Sequence, residues 1–339
     1  MEDIFVQIIM IGIVSGTIDP DDIKVSLDGS KVRANASAKL TKDEKGLNEL
    51  SKQVKEEINI LFDKVKKIDE DDENNAKNKI MKKIKTKESN LESITDAIKT
   101  LKKQKEESIK KIKKEKNREP TEKEGKKIED MKINITDQDA KYMKERCGII
   151  KPNYNVQISV DEKNMFIVTR DVVTECNDQH QLIPMVKKTE ETMGTHPVML
   201  KGDNGYFPQL TEAVKAFPNT VFYIDYRNRR KDVVDLNEIK KKYDDTQYKN
   251  LERLLTEEGN NEYKKRMHTV EPVFGWIKYN TGYKHFLVRG IDKVKGEFNL
   301  MCIGYNIMKL KNFLKKKRIN TSEFNEMIKS MKNTRVNTA

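Results

Sequence analysis

The residues best suited to chemistry in this chain are three acids, Asp28, Asp203 and Glu271. Three carboxylates can hold two divalent metal ions about 4 Å apart, and such a pair clamps the attacking and the leaving oxygen of a phosphodiester. Mg²⁺ takes oxygen ligands and keeps several of its waters, so a few carboxylates suffice for two Mg²⁺ (or Mn²⁺) ions. Only the fold decides whether the three acids meet.

Local patterns predict that the first two acids lie on strands. Asp203 follows the apolar run 198–200, which is typical of a short buried strand, and Asn204-Gly205 ends that strand. The carboxyl end of a strand is where open α/β sheets place ligand-binding groups. Asp28 ends a run from Ile23 in which apolar and polar residues alternate. Each has a structural alternative: Asp203 can cap the next turn, and Asp28-Gly29 can form a hairpin turn.

The third acid lies seven residues before Lys278, which is two turns of a helix, so we expect Glu271 and Lys278 on one face. Glu271 could then hold metal while Arg266 and Lys278 bind DNA phosphates. The alternative is a Glu at a helix N-terminus, with Pro272 at the first helical position. Trp276 could stack on a base, but packing is the favoured role.

Further basic residues cluster in the second half of the chain. Arg229 and Arg230 follow a predicted strand at 221–226, and Lys284 and Arg289 surround the Glu271 segment. The whole chain of 339 residues has 67 Lys and Arg against 55 Asp and Glu, a net charge of +12. This balance favours a polyanionic partner.

From residue 136 onward the pattern is that of an α/β domain. We predict strands at 153–161, 165–173, 198–203 and 221–226, and helices at 179–187, 235–258, 262–280 and 291–315. Together with the strand at 23–28, this order suggests an α/β core of ribonuclease-H type.

Residues 41–130 are densely charged and helical in pattern. Apolar residues recur every three or four positions up to Ile68, and heptad-like runs follow an acidic break at 69–74. The seam is interrupted by Lys87, Lys105 and Ser108. We predict an antiparallel helical hairpin, inserted after the first core strand and separate from the catalytic sheet. Its Lys-rich faces could bind DNA, although a solvated coiled-coil surface is the favoured interpretation.

Cysteine usage and hydropathy bear on the compartment. Cys147, Cys176 and Cys302 are far apart and form no metal-ligand spacing, which favours a reducing cytoplasm. The apolar run 5–14 is too short to span a bilayer and lacks the flanks of a signal peptide. We therefore expect a cytoplasmic protein without a membrane partner.

Several of these stretches, in order, resemble the DDE transposases of bacterial insertion sequences. They are residues 28–37, 136–141, 154–157, Asn177-Asp-Gln-His-Gln-Leu182, Gly202-Asp-Asn-Gly-Tyr206 and Val270-Glu-Pro-Val-Phe-Gly-Trp-Ile-Lys278. The likeness covers about residues 20–315. It is greatest to the insertion-sequence "eleven-eighty-two" group, related to the insertion-sequence four/five superfamily, which also carries a helical insertion after the first strand.

The resemblance implies a ribonuclease-H-like fold with a triad of Asp28, Asp203 and Glu271. It also implies a Tyr-Arg-Glu-Lys signature in Tyr263, Arg266, Glu271 and Lys278. Four residues separate Arg266 from Glu271 here, where many relatives have three. Relatives begin with a helical N-terminal domain that binds the terminal repeats, so residues 1–22 resemble the remnant of such a domain.

The leading hypothesis is a DDE transposase that cleaves insertion-sequence ends and joins them to target DNA, acting as a homodimer. The expected layout is a first core strand at 23–40, a helical insertion at 41–135, the rest of the core at 136–315 and a basic tail at 316–339. One rival is a nuclease of the same fold without strand transfer. Another is an inactive DNA-binding or dimerising fragment.

Overall fold

The computed structural model describes residues 2–67, 74–145, 147–226 and 240–336. The chain divides into two compact units. The sheet unit comprises Met1–Val32 and Tyr154–Ala339, and the hairpin unit comprises Arg33–Asn153. No helix in the described part of the chain combines the length and the apolar composition that a bilayer crossing requires.

The described part of the chain contains strands and helices throughout. The strands are β1 (Lys24–Arg33), β2 (Thr41–Lys42), β3 (Ile133–Asn134), β4 (Lys141–Lys144), β5 (Ile150–Asp161), β6 (Ile167–Val173), β7 (Met199–Gly202) and β8 (Val221–Ile224). The α-helices are α1 (Glu2–Val14), α2 (Glu44–Lys66), α3 (Asn74–Lys116), α4 (Glu122–Glu129), α5 (Leu182–Met193), α6 (Leu210–Ala216), α7 (Asp245–Leu255), α8 (Glu257–Gly275), α9 (Ile291–Lys317) and α10 (Thr321–Val336). A π-helical turn, Trp276–Asn280, follows α8 directly.

The sheet unit is built on a mixed sheet with β1 near its centre. β1 lies between β5 and β7, β8 lies beyond β7, and β6 pairs with β5. β1, β7 and β8 run parallel, with Ser26 opposite Lys201, whereas β5 and β6 are antiparallel. The mixed α/β architecture predicted from the sequence is confirmed.

The central strands are buried on both faces, and the two faces differ in polarity. On β5, Tyr154, Val156, Ile158 and Val160 alternate with Asn155, Gln157, Ser159 and Asp161, and all eight are buried. β1 follows the same rule, since Val25 and Leu27 are buried along with Ser26 and Asp28. A buried polar face needs internal partners for its hydrogen-bonding groups, and those partners form the candidate site.

Two asparagines cover the outer strands of the sheet. Asn250 of α7 accepts from the backbone N–H of Ile224 (3.1 Å) and donates to its C=O (2.7 Å). Asn306 of α9 does the same for Ile167 of β6, at 2.9 and 2.8 Å. Each amide imitates the backbone of a neighbouring strand and fixes a helix to a sheet edge.

Two of the structural alternatives considered for Asp28 and Glu271 do not occur. Asp28-Gly29 forms no hairpin turn, because β1 continues through both residues to Arg33. Pro272 is not at a helix start either: it and Glu271 lie near the C-terminal end of α8. The helix begins earlier than predicted because the Thr256 hydroxyl accepts from the Gly259 N–H at 3.0 Å and caps it.

The long antiparallel helix pair predicted in the hairpin unit is confirmed. Leu47 of α2 packs with Ile94, Ala97 and Leu101 of α3 and with Ile133. The lysines that interrupt the apolar seam have partners on the opposite helix. Lys105 pairs with Glu44 at 2.8 Å, and Lys87 pairs with Glu57.

Candidate active site

The parallel pairing of β1 and β7 brings Asp28 and Asp203 together. Asp28 lies within β1, and Asp203 directly follows β7, in the register that places Ser26 opposite Lys201. Arg266 of α8 joins them: its Nη2 atom lies 2.7 Å from Asp28 Oδ1 and 3.9 Å from Asp203 Oδ2. Two of the three acids predicted from sequence therefore meet around one guanidinium.

The backbone N–H of a following glycine donates to each of the two carboxylates. The Gly29 N–H donates to Asp28 Oδ1 at 3.0 Å, and the Gly205 N–H donates to Asp203 Oδ1 at 2.8 Å. Asp203 also begins the 3₁₀ turn Asn204–Gln209, so the capping role considered for it is present. Capping and participation in the site are thus compatible.

Burial dominates the electrostatics of the pair. Desolvation raises the pKa of Asp28 to about 6, although Arg266 opposes the shift and the nearby charge of Asp203 adds to it. Burial likewise raises the pKa of Asp203, again against the pull of Arg266. Asp28 is buried and the Asp203 side chain is 42% exposed, and these two like charges beside one cation form the kind of cluster in which a divalent ion would relieve repulsion.

Two acids that sequence reasoning did not select lie beside the pair. Asp225 follows β8, is buried, and accepts from the Tyr263 hydroxyl at 3.4 Å. Asp178 lies in the loop after β6, where its Oδ1 accepts from Asn155 and Gln157 of β5. The charges of both raise the pKa of Asp203 further. The strand-end rule that found Asp203 could also have found Asp225.

The place of Glu271 in the triad stays a prediction. Its side chain is exposed on α8, and it shares a cavity of about 420 Å³ with Tyr263 and Arg266. Lys278 lies within the π-helical turn Trp276–Asn280, so the regular α-helical spacing that starts from Glu271 ends at Gly275. Glu297, a possible substitute on α9, instead accepts from backbone N–H groups of a loop, at Leu287 and Val288.

The donor chemistry at the pair suits a divalent ion. Asp28 and Asp203 offer the oxygen ligands that Mg²⁺ takes. Arg266 places its positive charge against the same two carboxylates. Within the described ranges, no three His, Cys, Asp or Glu side chains are grouped to hold a metal ion.

The predicted DNA-binding residues fall into three groups. Lys278 donates to Ser30 Oγ (2.6 Å) and to the Lys31 C=O (2.8 Å), just past Asp28, while Lys284 and Arg289 are exposed. Tyr263 and Arg266 are buried and bonded within the protein, so their contact with DNA stays a prediction. Arg229 and Arg230 lie outside the described residues.

An ion network behind the site fixes α8 to the sheet. Lys201 is fully buried, and its Nζ lies 2.6 Å from Glu162 Oε2 and 2.6 Å from Glu262 Oε1. Ser26 adds a hydrogen bond to Glu162 at 3.1 Å. Because Glu262 and Arg266 are four residues apart on α8, this network also orients the guanidinium.

Comparison with known families bears on the second half of this arrangement. Residues 227–311 match the model of a family described as "Transposase DDE domain". Comparisons with curated proteins and with solved structures gave no match. The matched segment contains α7, α8 and most of α9, and hence Arg266, Glu271 and Lys278; Asp28 and Asp203 lie before it. DDE transposases generally use divalent metal ions and act on DNA. Residues 227–311 thus carry a DDE transposase domain, which indicates a function in DNA transposition in general.

Proposed function

We propose that this chain is a metal-dependent DDE transposase that cleaves DNA at the ends of an insertion sequence and joins the freed 3′ end to target DNA. The observation that carries the proposal is the meeting of Asp28 and Asp203 on parallel strands, against Arg266 of the matched segment. Buried acids of raised pKa, gathered at one place, are typical of functional sites.

Each residue has a role in this proposal. Asp28 and Asp203 would hold Mg²⁺ or Mn²⁺, and Glu271 would complete the set from α8. Such ions, when bound, would supply positive charge that stabilises the attacking and leaving oxygens of the phosphodiester. In cleavage, a water oxygen bonds to phosphorus, the bond to the 3′ oxygen breaks, and that oxygen takes up a proton. In strand transfer, the 3′-OH attacks a target phosphorus and displaces a 3′ oxygen of the target.

A basic segment beside the acids supports a DNA path. Between Pro272 and Ile291 the sequence holds Lys278, Lys284 and Arg289 and no acid. Lys278 reaches the backbone just past Asp28, and Tyr279, next to it, is 83% exposed. Exposed cations bind phosphates and an exposed ring can stack on a base, so we propose that DNA runs along this segment.

Finer assignments belong to the same proposal. The mixed sheet with parallel β1, β7 and β8 suits a ribonuclease-H-like core, and the helix pair suits the insertion of the "eleven-eighty-two" group. We propose that residues 1–22, 23–40, 41–135, 136–315 and 316–339 form the layout expected from the sequence. Two copies acting together on two element ends, in the bacterial cytoplasm, complete the proposal.

The test is cleavage and joining of a labelled insertion-sequence end with the full chain and Mg²⁺. We expect Asp28→Asn, Asp203→Asn and Glu271→Gln each to lower the rate at least about a hundredfold, since each removes a ligand charge that stabilises the transition state. Asp161→Asn, which alters a buried acid elsewhere on β5, is the matched control and should retain activity.

The products separate the rival functions. Cleaved but unjoined DNA would indicate a nuclease, and binding without cleavage would indicate an inactive DNA-binding fragment. Full activity in Glu271→Gln would remove Glu271 from the triad while leaving the aspartate pair in place.

A further inference from the structure

The stretch Asn177–Leu182 is one of those that resemble the DDE transposases, but none of its residues takes part in the proposed chemistry. Its acid, Asp178, accepts two hydrogen bonds at one oxygen, from Asn155 Nδ2 at 2.7 Å and from Gln157 Nε2 at 2.5 Å. Both donors are fully buried on the polar face of β5. Asp178 is therefore anchored to the strand that neighbours β1.

Asp178 also lies close to the two glycines that follow the aspartate pair, Gly29 within β1 and Gly205 in the turn after β7. A Cβ built on Gly29 would lie 2.5 Å from Asp178 Oδ1, and one built on Gly205 would lie 3.2 Å from the Asp178 Cβ. Neither glycine has a positive φ, so close approach and not backbone conformation explains why a glycine stands there. Gly29 and Gly205 are the residues whose N–H groups bond Asp28 and Asp203.

Gln157 connects Asp178 to Tyr206, the residue after Gly205. Its Oε1 accepts from the hydroxyl of Tyr206, a fully buried residue just after Gly205. The amide thus joins the β7 turn to Asp178 while its own strand lies beside β1. Gly29 of β1 and the turn at Gly205 are thus held against the Asp178 carboxylate and the Gln157 amide.

We propose that Asp178 is a positioning residue that holds Gly29 of β1 and the turn at Gly205 together, and so sets the separation of the Asp28 and Asp203 carboxylates. The inference rests on the proposed function for its consequence, but the clamp itself can be measured without catalysis. Residues that orient metal ligands from behind typically change metal affinity or activity about 10–100-fold when altered.

The first experiment is hydrogen exchange of the full chain without metal or DNA. In Asp178→Ala, we expect the backbone amides of Gly29 and Gly205 to exchange at least about tenfold faster, because local opening costs less. Asp178→Asn keeps an oxygen acceptor for Asn155 and Gln157 and should restore slow exchange. Asp171→Ala removes an acid of β6 that pairs with Lys188 and Lys295, and this matched control should leave the exchange of both glycine amides unchanged.

The second experiment measures Mn²⁺ affinity and DNA cleavage in the same variants. Asp178→Ala should weaken Mn²⁺ binding and lower kcat about tenfold or more with little change in KM for DNA, and Asp178→Asn should recover both. If Asp178→Asn is as impaired as Asp178→Ala, the charge itself is required and the clamp is wrong. Unchanged hydrogen exchange at Gly29 or at Gly205 in Asp178→Ala would also overturn the proposed clamp. Faster exchange in that variant, together with no DNA cleavage by the parent chain, would support the clamp and rule out the proposed function.

Discussion

At the scale of single residues, Arg266 is the group on which the site depends most. Its Nη2 contacts Asp28, and its Nε donates to the Leu27 C=O at 3.3 Å. Because it is buried, the guanidinium offsets much of the cost of burying Asp28.

Replacing Arg266 by Met should therefore destabilise the chain by about 3–5 kcal/mol, the usual cost of leaving a buried charge without its partner. Asp28→Asn in the same chain should recover much of the loss, since no uncompensated carboxylate remains. Urea unfolding of the two single variants and the double variant measures this coupling. Additive losses would show that the two side chains do not act as a pair.

Asp161 offers a test of pH dependence away from the site. Burial raises its pKa from 3.8 to about 6, so the folded chain binds this proton more tightly than the unfolded chain. This contribution to stability is therefore lost as the pH rises from about 4 through 6, and at pH 7.5 the ionised group destabilises the fold by up to about 3 kcal/mol.

Asp161→Asn should consequently raise stability at pH 7.5 and have a smaller effect at pH 4.5. An amide oxygen can still accept from the Asn164 N–H, the bond that Asp161 makes at 2.8 Å. Denaturant titrations at the two pH values measure the difference. Equal effects at both would assign the change to packing and not to charge.

The sequence predicted Asp28 and Asp203 because both follow from the period of a strand and the position of its end. Asp178 could not be found in this way, since it lies in a loop and its partners are 21 and 23 residues away on β5. The sequence predicts the helix that carries Glu271 at 262–280, whereas the cap at Thr256 makes it begin at Glu257.

At the scale of elements, the buried Lys201 network joins three of them. Glu162 lies between β5 and β6, Lys201 on β7, and Glu262 on α8. In the sequence, Lys201 only interrupts an apolar run, and nothing local indicates that two distant glutamates surround it. Interactions of this kind depend on tertiary structure that periodicity does not describe.

Lys201→Met should cost about 3–5 kcal/mol, because it leaves two carboxylates facing each other in a buried site. Adding Glu162→Gln and Glu262→Gln should return much of the stability. Thermal and urea unfolding of the single and triple variants tests this. A single variant as stable as the parent would mean that the glutamates move apart into solvent at little cost.

At the scale of the whole molecule, the strand pair β2 and β3 flanks the helices of the hairpin unit and would allow them to be deleted. Within the hairpin unit, β2 and β3 pair antiparallel at its base, with Lys42 opposite Ile133. Asn134 supports this pair by donating to the Ser37 C=O at 2.7 Å and to Thr41 Oγ1 at 2.8 Å. The helices leave and return at adjacent points.

Replacing residues 43–132 by Asn-Gly should turn β2 and β3 into a two-residue hairpin. Ile133→Thr would accompany the deletion, because Ile133 packs in the core of the removed helices. We expect one cooperative transition within about 5 °C of the parent Tm. Loss of cooperativity in calorimetry would show that the rest of the chain needs the helices to fold.

DNA affinity should respond to salt through the basic segment. Lys284→Ala with Arg289→Ala should lower the slope of log K against log salt by up to about 0.9 for each phosphate that these side chains neutralise. Lys52→Ala with Lys55→Ala removes two exposed cations of α2 and is the matched control. A larger change in the control would place the DNA on the helix pair instead.

The asparagine bridges at Ile167 and Ile224 have a consequence for how copies of this protein can meet. The backbone N–H and C=O groups of these two residues could otherwise pair with a strand of another molecule, but side chains of the same molecule already bond them. Lateral fusion of two sheets at these points would first require α7 or α9 to detach. At these two points of the sheet, another copy could therefore contact only the covering helices.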